Sequence, residues 1–210
     1  MSPKVGEIYR QNRKEEILDA ARRVFIMRGY NMATMQDVIE EAKISRGGLY
    51  AYFNNIEHVF IEVLELEDKR NSRTFIELVD GISLWTQLDT FLQLQQEEIK
   101  NVKNSLVRAK SEFFLREDSI ASKESENYKI KRYMDLKNTI EKFINSGLVQ
   151  NEFNPVLSPE NIALYMISFI DGLTLNSFNI GAKKTRIDEQ LDAFRYSLKT
   201  ILRPVKKESV

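Results

Sequence analysis

The chain has 210 residues, 42% of them hydrophobic and 30% charged, a size and composition suited to one domain or one domain with an appendage, and too short for a large multidomain enzyme. Its 31 basic and 31 acidic side chains cancel, so any nucleic-acid binding must lie in a local patch. The absence of cysteine excludes disulfides, thiolate metal sites and cysteine nucleophiles. The longest apolar run, Ile162 to Ile170, is far below the roughly 20 residues that span a bilayer, and no signal-peptide core is present. A cytoplasmic protein with no membrane partner is expected. Only 8 glycines and 4 prolines are used, and apolar residues recur at helical intervals, which predicts an all-α fold.

Residues 1–10 lack an apolar pattern and read as a flexible basic tail. A first helix is expected from Asn12, with Asn12 and Glu15 as a capping box; its apolar stripe is Ile17, Ala21, Val24 and Phe25, and Gly29 ends it. Thr34 and Asp37 open a short second helix that stops near Lys43. Ser45 then caps a third helix reaching about Phe53, which is helix-turn-helix spacing. A fourth helix, capped by Asn54 or Asn55, runs on through Phe60 and Leu64 toward Leu78 and Val79. Further helices are expected over residues 84–103, 105–116, 124–145, 158–179 and 187–202, with a polar loop over 118–125. Of these starts, Ser158-Pro159 is the clearest: serine caps, and proline at the first helical position has no amide hydrogen to lose.

Residues 1–53 hold nine basic and seven acidic side chains. Arg10, Arg13, Lys14, Arg22, Arg23, Arg28, Lys43 and Arg46 could flank a phosphate backbone, although Glu40 and Glu41 lie close in sequence. Within Ser45–Phe53, two glycines in a short helix cost about 2 kcal/mol relative to alanine, so something other than helix stability favours them. Leu49 and Phe53 share a face that can pack on the first two helices, which turns Arg46 and Tyr50 outward. Such a helix can enter a major groove, with Arg46 bonding guanine O6 and N7. The alternative is a tight corner in which Gly47 and Gly48 only permit close packing.

Residues 13–60 closely resemble the N-terminal domain of the TetR family of bacterial transcriptional regulators. The resemblance rests on a threonine-capped second helix followed by a Ser-x-Gly-x-x-Tyr-x-His/Tyr-Phe pattern. Thr34, Ala42, Ile44, Ser45, Gly47, Leu49, Tyr50, Tyr52, Phe53 and Glu57 fall on it. It implies a three-helix helix-turn-helix DNA-binding domain over residues 1–55 and a helical effector-binding and dimerisation domain over 56–210. Thr34, Ser45, Tyr50 and Tyr52 would contact the DNA backbone, and Arg46, Gly48 and Ala51, with Tyr50, the bases. Two positions depart from the pattern. Lys43 replaces a frequent glycine and could supply phosphate charge, and Ile56 replaces a frequent lysine and carries no expected contact.

The later residues share no motif. Their aromatic groups are either bundle core or, in a TetR-like protein, the lining of an inducer pocket, for which Trp85, Phe113 and Tyr133 are the candidates. The last long helices carry Tyr165, Phe169, Gly172, Phe194 and Leu198, compatible with the family's four-helix dimer interface or with burial inside one protomer. His58 is the only histidine, no clustered metal ligands stand out, and no glycine-rich phosphate loop follows a strand. No metal, no cofactor and no catalytic activity are therefore expected. The expected function is that of a homodimeric DNA-binding repressor, released from a palindromic double-stranded operator by a hydrophobic or aromatic small molecule. The alternatives are a helical protein-binding adaptor without DNA specificity and an enzyme built in the C-terminal bundle.

Overall fold

A computed structural model describes residues 3–76, 81–116 and 122–205. Among these lie ten α-helices: α1 (Pro3–Arg28), α2 (Met35–Ala42), α3 (Arg46–Tyr50), α4 (Ile56–Ile76), α5 (Leu84–Lys100), α6 (Val107–Phe114), α7 (Lys123–Val149), α8 (Pro159–Ile180), α9 (Ala182–Thr185) and α10 (Ile187–Leu202). The described residues form no strand, only one isolated bridge between Phe153 and Pro204. No helix among them is long and apolar enough to cross a membrane.

Local signals set most helix ends. Gly29 adopts φ +75° and returns its N–H to the Phe25 carbonyl, closing α1. Asn55 caps α4 by accepting the His58 N–H at 2.8 Å, and Ser158 caps α8 by accepting that of Asn161, with Pro159 in the first turn. The expected tail is a correction: α1 is already helical at Pro3 and passes through Asn12, so Asn12 caps nothing. Residues 6–12 are exposed and carry no apolar stripe, so periodicity could not reveal a helix held by propensity and side-chain bonds such as Gln11 Nε2 to Glu15 at 3.0 Å. The expected continuation of α4 to Leu78 and Val79 lies outside the described residues, as does much of the expected 118–125 loop; its last residues already belong to α7.

The chain divides into two compact units, one formed by residues up to Arg70 with Asn104–Lys129, the other by Asn71–Lys103 with the residues from Ile130 onward. The unit containing α1–α3 thus extends well past residue 55. Its core joins Phe25, Leu49 and Phe53 to Phe60 and Leu64 of α4, Phe113 of α6 and Tyr128 of α7, all buried. Phe60 sits edge-on to Phe25 at 4.5 Å and to Phe113 at 5.1 Å. Each such ring contributes roughly 1.5–3 kcal/mol on burial, so α4 and α6 are integral to this core.

The second core is built on Leu84, Leu88 and Leu92 of α5, Phe143 and Ile144 of α7, Ile162 and Met166 of α8, and Leu191, Phe194 and Leu198 of α10. Phe169 stacks on Phe194 at 4.0 Å with planes 7° apart, and the Tyr165 hydroxyl bonds Ser197. Gly147 lets α7 meet the following turn, since a Cβ there would lie 2.1 Å from the Phe153 ring. Below that turn, Glu152 is buried and accepts the Leu84 N–H at 2.6 Å.

The residues expected at an interface or in a pocket divide between buried and exposed positions. Phe194 and Leu198 take the second of the two placements open to them, burial within the protomer, because α10 turns these positions onto α5 and α8. Gly172 is exposed, with open space around its α-carbon. Of the three pocket candidates, Phe113 belongs to the first unit and Trp85 and Tyr133 to the second. Phe113 is fully buried among Tyr30, Phe60, Phe114 and Tyr128 in the first unit. Trp85 packs against the second core beneath the Lys199 ammonium, and Tyr133 is 45% exposed. Aromatic content marked these positions as bulky but not where their surroundings lay.

Candidate nucleic-acid interface

The α2–α3 corner is specified by three consecutive caps. Thr34 Oγ1 accepts the Asp37 N–H at 3.2 Å, while Asp37 Oδ2 accepts from the Thr34 N–H at 3.0 Å and its hydroxyl at 2.8 Å. The Thr34 hydroxyl hydrogen is therefore engaged inside the cap. At the far end, Lys43 stands in the left-handed region (φ 52°, ψ 48°), where the pattern favours glycine. Its N–H reaches the Glu40 carbonyl, and the next N–H, of Ile44, reaches that of Ile39. This is the Schellman closure, and the apolar Ile39 and Ile44 that accompany it pack on the core. Ser45 then accepts the Gly48 N–H at 3.1 Å and starts α3, which as an α-helix ends at Tyr50 and continues through Tyr52 as a turn.

Burial separates the two faces of this segment. Leu49 and Phe53 are fully buried. Ser45, Arg46, Gly47, Tyr50 and Ala51 are exposed, Gly48 and Tyr52 half-buried, and Lys43 exposed beside them. Neither glycine has a positive φ. A Cβ on Gly47 would meet nothing within 4 Å, and one on Gly48 would touch Ser45 Oγ at 3.3 Å. Close packing inside the protomer therefore does not explain Gly47.

Ion pairing sorts the eight basic residues noted in the sequence. Arg13 pairs with Glu16 at 2.6 Å, Lys14 with Glu62, Arg22 with Glu67 at 3.1 Å, Arg23 with Glu41 at 2.6 Å and Arg28 with Asp37 at 3.1 Å. Among the described residues, Arg10, Lys43 and Arg46 have no such carboxylate. The Arg46 guanidinium lies over the Tyr50 ring at 5.5 Å, and that of Arg10 over the Tyr52 ring at 5.7 Å.

A polar network, which the sequence reading missed, ties α6 to the α1–α2 turn. Glu112 accepts the Asn31 N–H at 2.9 Å and the Arg108 side chain at 2.8 Å. It fills the space beside Gly29 that a side chain would occupy. Arg116 donates to Glu57 at 2.9 Å and to the Tyr30 hydroxyl at 2.7 Å, and Ser122 also donates to Glu57. Burial works against the charge of Glu57, but the bonds from Ser122 and Arg116 outweigh it and hold the carboxyl below its ordinary value. Burial, opposed in part by Arg116, pushes the Tyr30 hydroxyl up to about 12. In the sequence Glu57 stands out only as a position on the helix-turn-helix pattern, because partners tens of residues away leave no periodic signal.

Residues 17–63 match the family model described as bacterial regulatory proteins of the tetR family, and residues 87–188 match the tetracyclin repressor-like C-terminal domain. The chain is 29% identical over 207 residues to the uncharacterized HTH-type transcriptional regulator YfiR of Bacillus subtilis, covering 99% of this chain and 100% of that protein. It is 38% identical over 68 residues to the HTH-type transcriptional repressor AcnR of Corynebacterium jeikeium, covering 32% of this chain and 35% of that one. The fold is similar to that of reduced NemR from E. coli, with a TM-score of 0.75, 16% identity, and 92% and 100% of the two chains covered. With both halves matched by models of one family and a regulator aligned end to end, the chain belongs to the TetR family of helix-turn-helix transcriptional regulators and is not an enzyme.

Proposed function

We propose that the protein is a homodimeric repressor whose α3 enters the major groove of a two-fold symmetric operator and which a small hydrophobic or aromatic effector releases. The observation that carries this reading is the outward face of α3. Arg46, Gly47, Tyr50 and Ala51 are exposed opposite the buried Leu49 and Phe53, and the protomer leaves the space at Gly47 open. Arg46, Gly48, Tyr50 and Ala51 face the bases; Lys43, Ser45 and Tyr52 face phosphates. Thr34 joins them only if its hydroxyl hydrogen leaves Asp37.

Dimerisation through α8 and α10 is supported by their outward positions: Gly172 and Leu175 on one, Ala193 and Tyr196 on the other, with the half-buried Tyr165 and Phe169 on their flank. Two-fold symmetry sets the recognition helices about 34–36 Å apart, one turn of DNA. The effector, bound by the helices beyond the DNA-binding segment, must prefer the DNA-incompetent arrangement; each tenfold loss of operator affinity requires about 1.4 kcal/mol of such preference. The name of AcnR favours repression over activation.

Selection of bound duplexes from a random pool tests the reading. A palindromic consensus is expected, and Tyr50→Ala should bind the recovered duplex more weakly while remaining dimeric. A pool with no enriched sequence would refute it.

A further inference from the structure

We propose that Arg10, on the N-terminal extension of α1, is an additional DNA phosphate contact, aimed by the ring of Tyr52. The inference rests on the DNA-binding reading above and extends the interface outside the segment matched by the family model, which begins at residue 17.

Two observations carry it. Six cations of α1 have described side chains, and five of them are spent on carboxylates: Arg13, Lys14, Arg22, Arg23 and Arg28. Arg10 is exposed and pairs with no described carboxylate, so its charge remains available to an external anion. Its guanidinium also has an aromatic neighbour. It lies 5.7 Å from the centroid of the Tyr52 ring, which packs beside Phe53 at the end of the recognition segment. Stacking over a ring engages the face of the guanidinium and leaves the N–H donors on its edge, the geometry that grips a phosphate through two parallel bonds. The same arrangement occurs in Arg46 over Tyr50. Both tyrosines of the exposed segment thus hold an arginine, one from α3 and one from α1. Helical continuation of α1 back to Pro3 is what brings Arg10 there.

The test is a salt titration of binding to a fluorescein-labelled duplex recovered by the selection above, read by anisotropy for wild type, Arg10→Gln and Arg13→Gln. One lost phosphate contact lowers the slope of log affinity against log salt by about 0.9. Arg10→Gln is expected to show that fall with an unchanged melting temperature. Arg13→Gln, three residues along the same helix but tied to Glu16, is expected to keep the wild-type slope. Wild-type binding with no change for Arg10→Gln, or an equal fall for both variants, overturns the assignment and leaves the DNA-binding reading standing. Absence of salt-dependent binding by wild type itself overturns both.

Discussion

Replacing Gly47 with alanine should strengthen the free protein and weaken its hold on DNA. The position lies within α3, has no left-handed backbone, and has no atom within 4 Å of where a methyl group would sit. Alanine therefore gains the usual helix advantage over glycine, about 0.5–1 kcal/mol, without a clash. For a chain of this length that raises the melting temperature by ~1–4 °C. In the complex proposed above the same methyl group would project toward the duplex, and a tenfold loss of affinity would correspond to about 1.4 kcal/mol. Thermal melting by circular dichroism and anisotropy on the selected duplex read the two effects separately. A variant that melts below wild type would show that the glycine serves packing after all. One that melts higher and binds DNA unchanged would show that the open space is not reserved for DNA.

At Lys43, substitution by glycine relieves a left-handed conformation that costs roughly 1–2 kcal/mol for a side-chain-bearing residue, less about 0.5–1 for the greater freedom of unfolded glycine. Urea unfolding should show a small gain in stability, while the salt slope of DNA binding falls by about 0.9. Gly147→Ala should destabilise by ~1–3 kcal/mol, because the methyl group must displace the Phe153 ring from 2.1 Å; Phe153→Leu in the same chain should recover part of the loss, and strictly additive effects would refute the contact. Acid should loosen the protein by a defined route. Glu57, Glu67 and Glu112 are each held below the ordinary 4.5 by their partners despite burial, so their stabilisation is complete above that value and is lost as pH falls through the lower folded values. Melting temperature should stay level from neutral pH to about 5 and drop below 4.5, with a shallower drop in Glu57→Gln.

Much of the fold is legible in local sequence because its signals are local. The Thr34–Asp37 cap, the Ser158-Pro159 start, the Gly29 stop and the stripe Ile17, Ala21, Val24 and Phe25 each act within a few residues, and each appears where the sequence places it. The two faces of α3 follow from the four-residue interval between Leu49 and Phe53. What periodicity cannot tell is which neighbour covers an apolar face. Phe194 and Leu198 form a stripe suited equally to a partner chain or to α8, and packing chose α8. Phe113 likewise reads as pocket or core, and within the protomer it lies among four rings. The Glu57–Arg116 pair and the Arg10–Tyr52 stack join residues far apart in the chain, and residues 3–11 form a helix with no stripe to betray it.

The interrupted composition of the first unit limits how this regulator can be recombined. Because Phe113 and Tyr128 complete a hydrophobic interior begun by Phe25 and Leu49, a head cut after Phe53 would present raw apolar surface where α4 and α6 belong. A chimera that joins the helix-turn-helix of this protein to another C-terminal domain must therefore carry residues 104–129 along with the first seventy, or else supply a host that offers the same shape and the same acid and base to Gly29 and Tyr30.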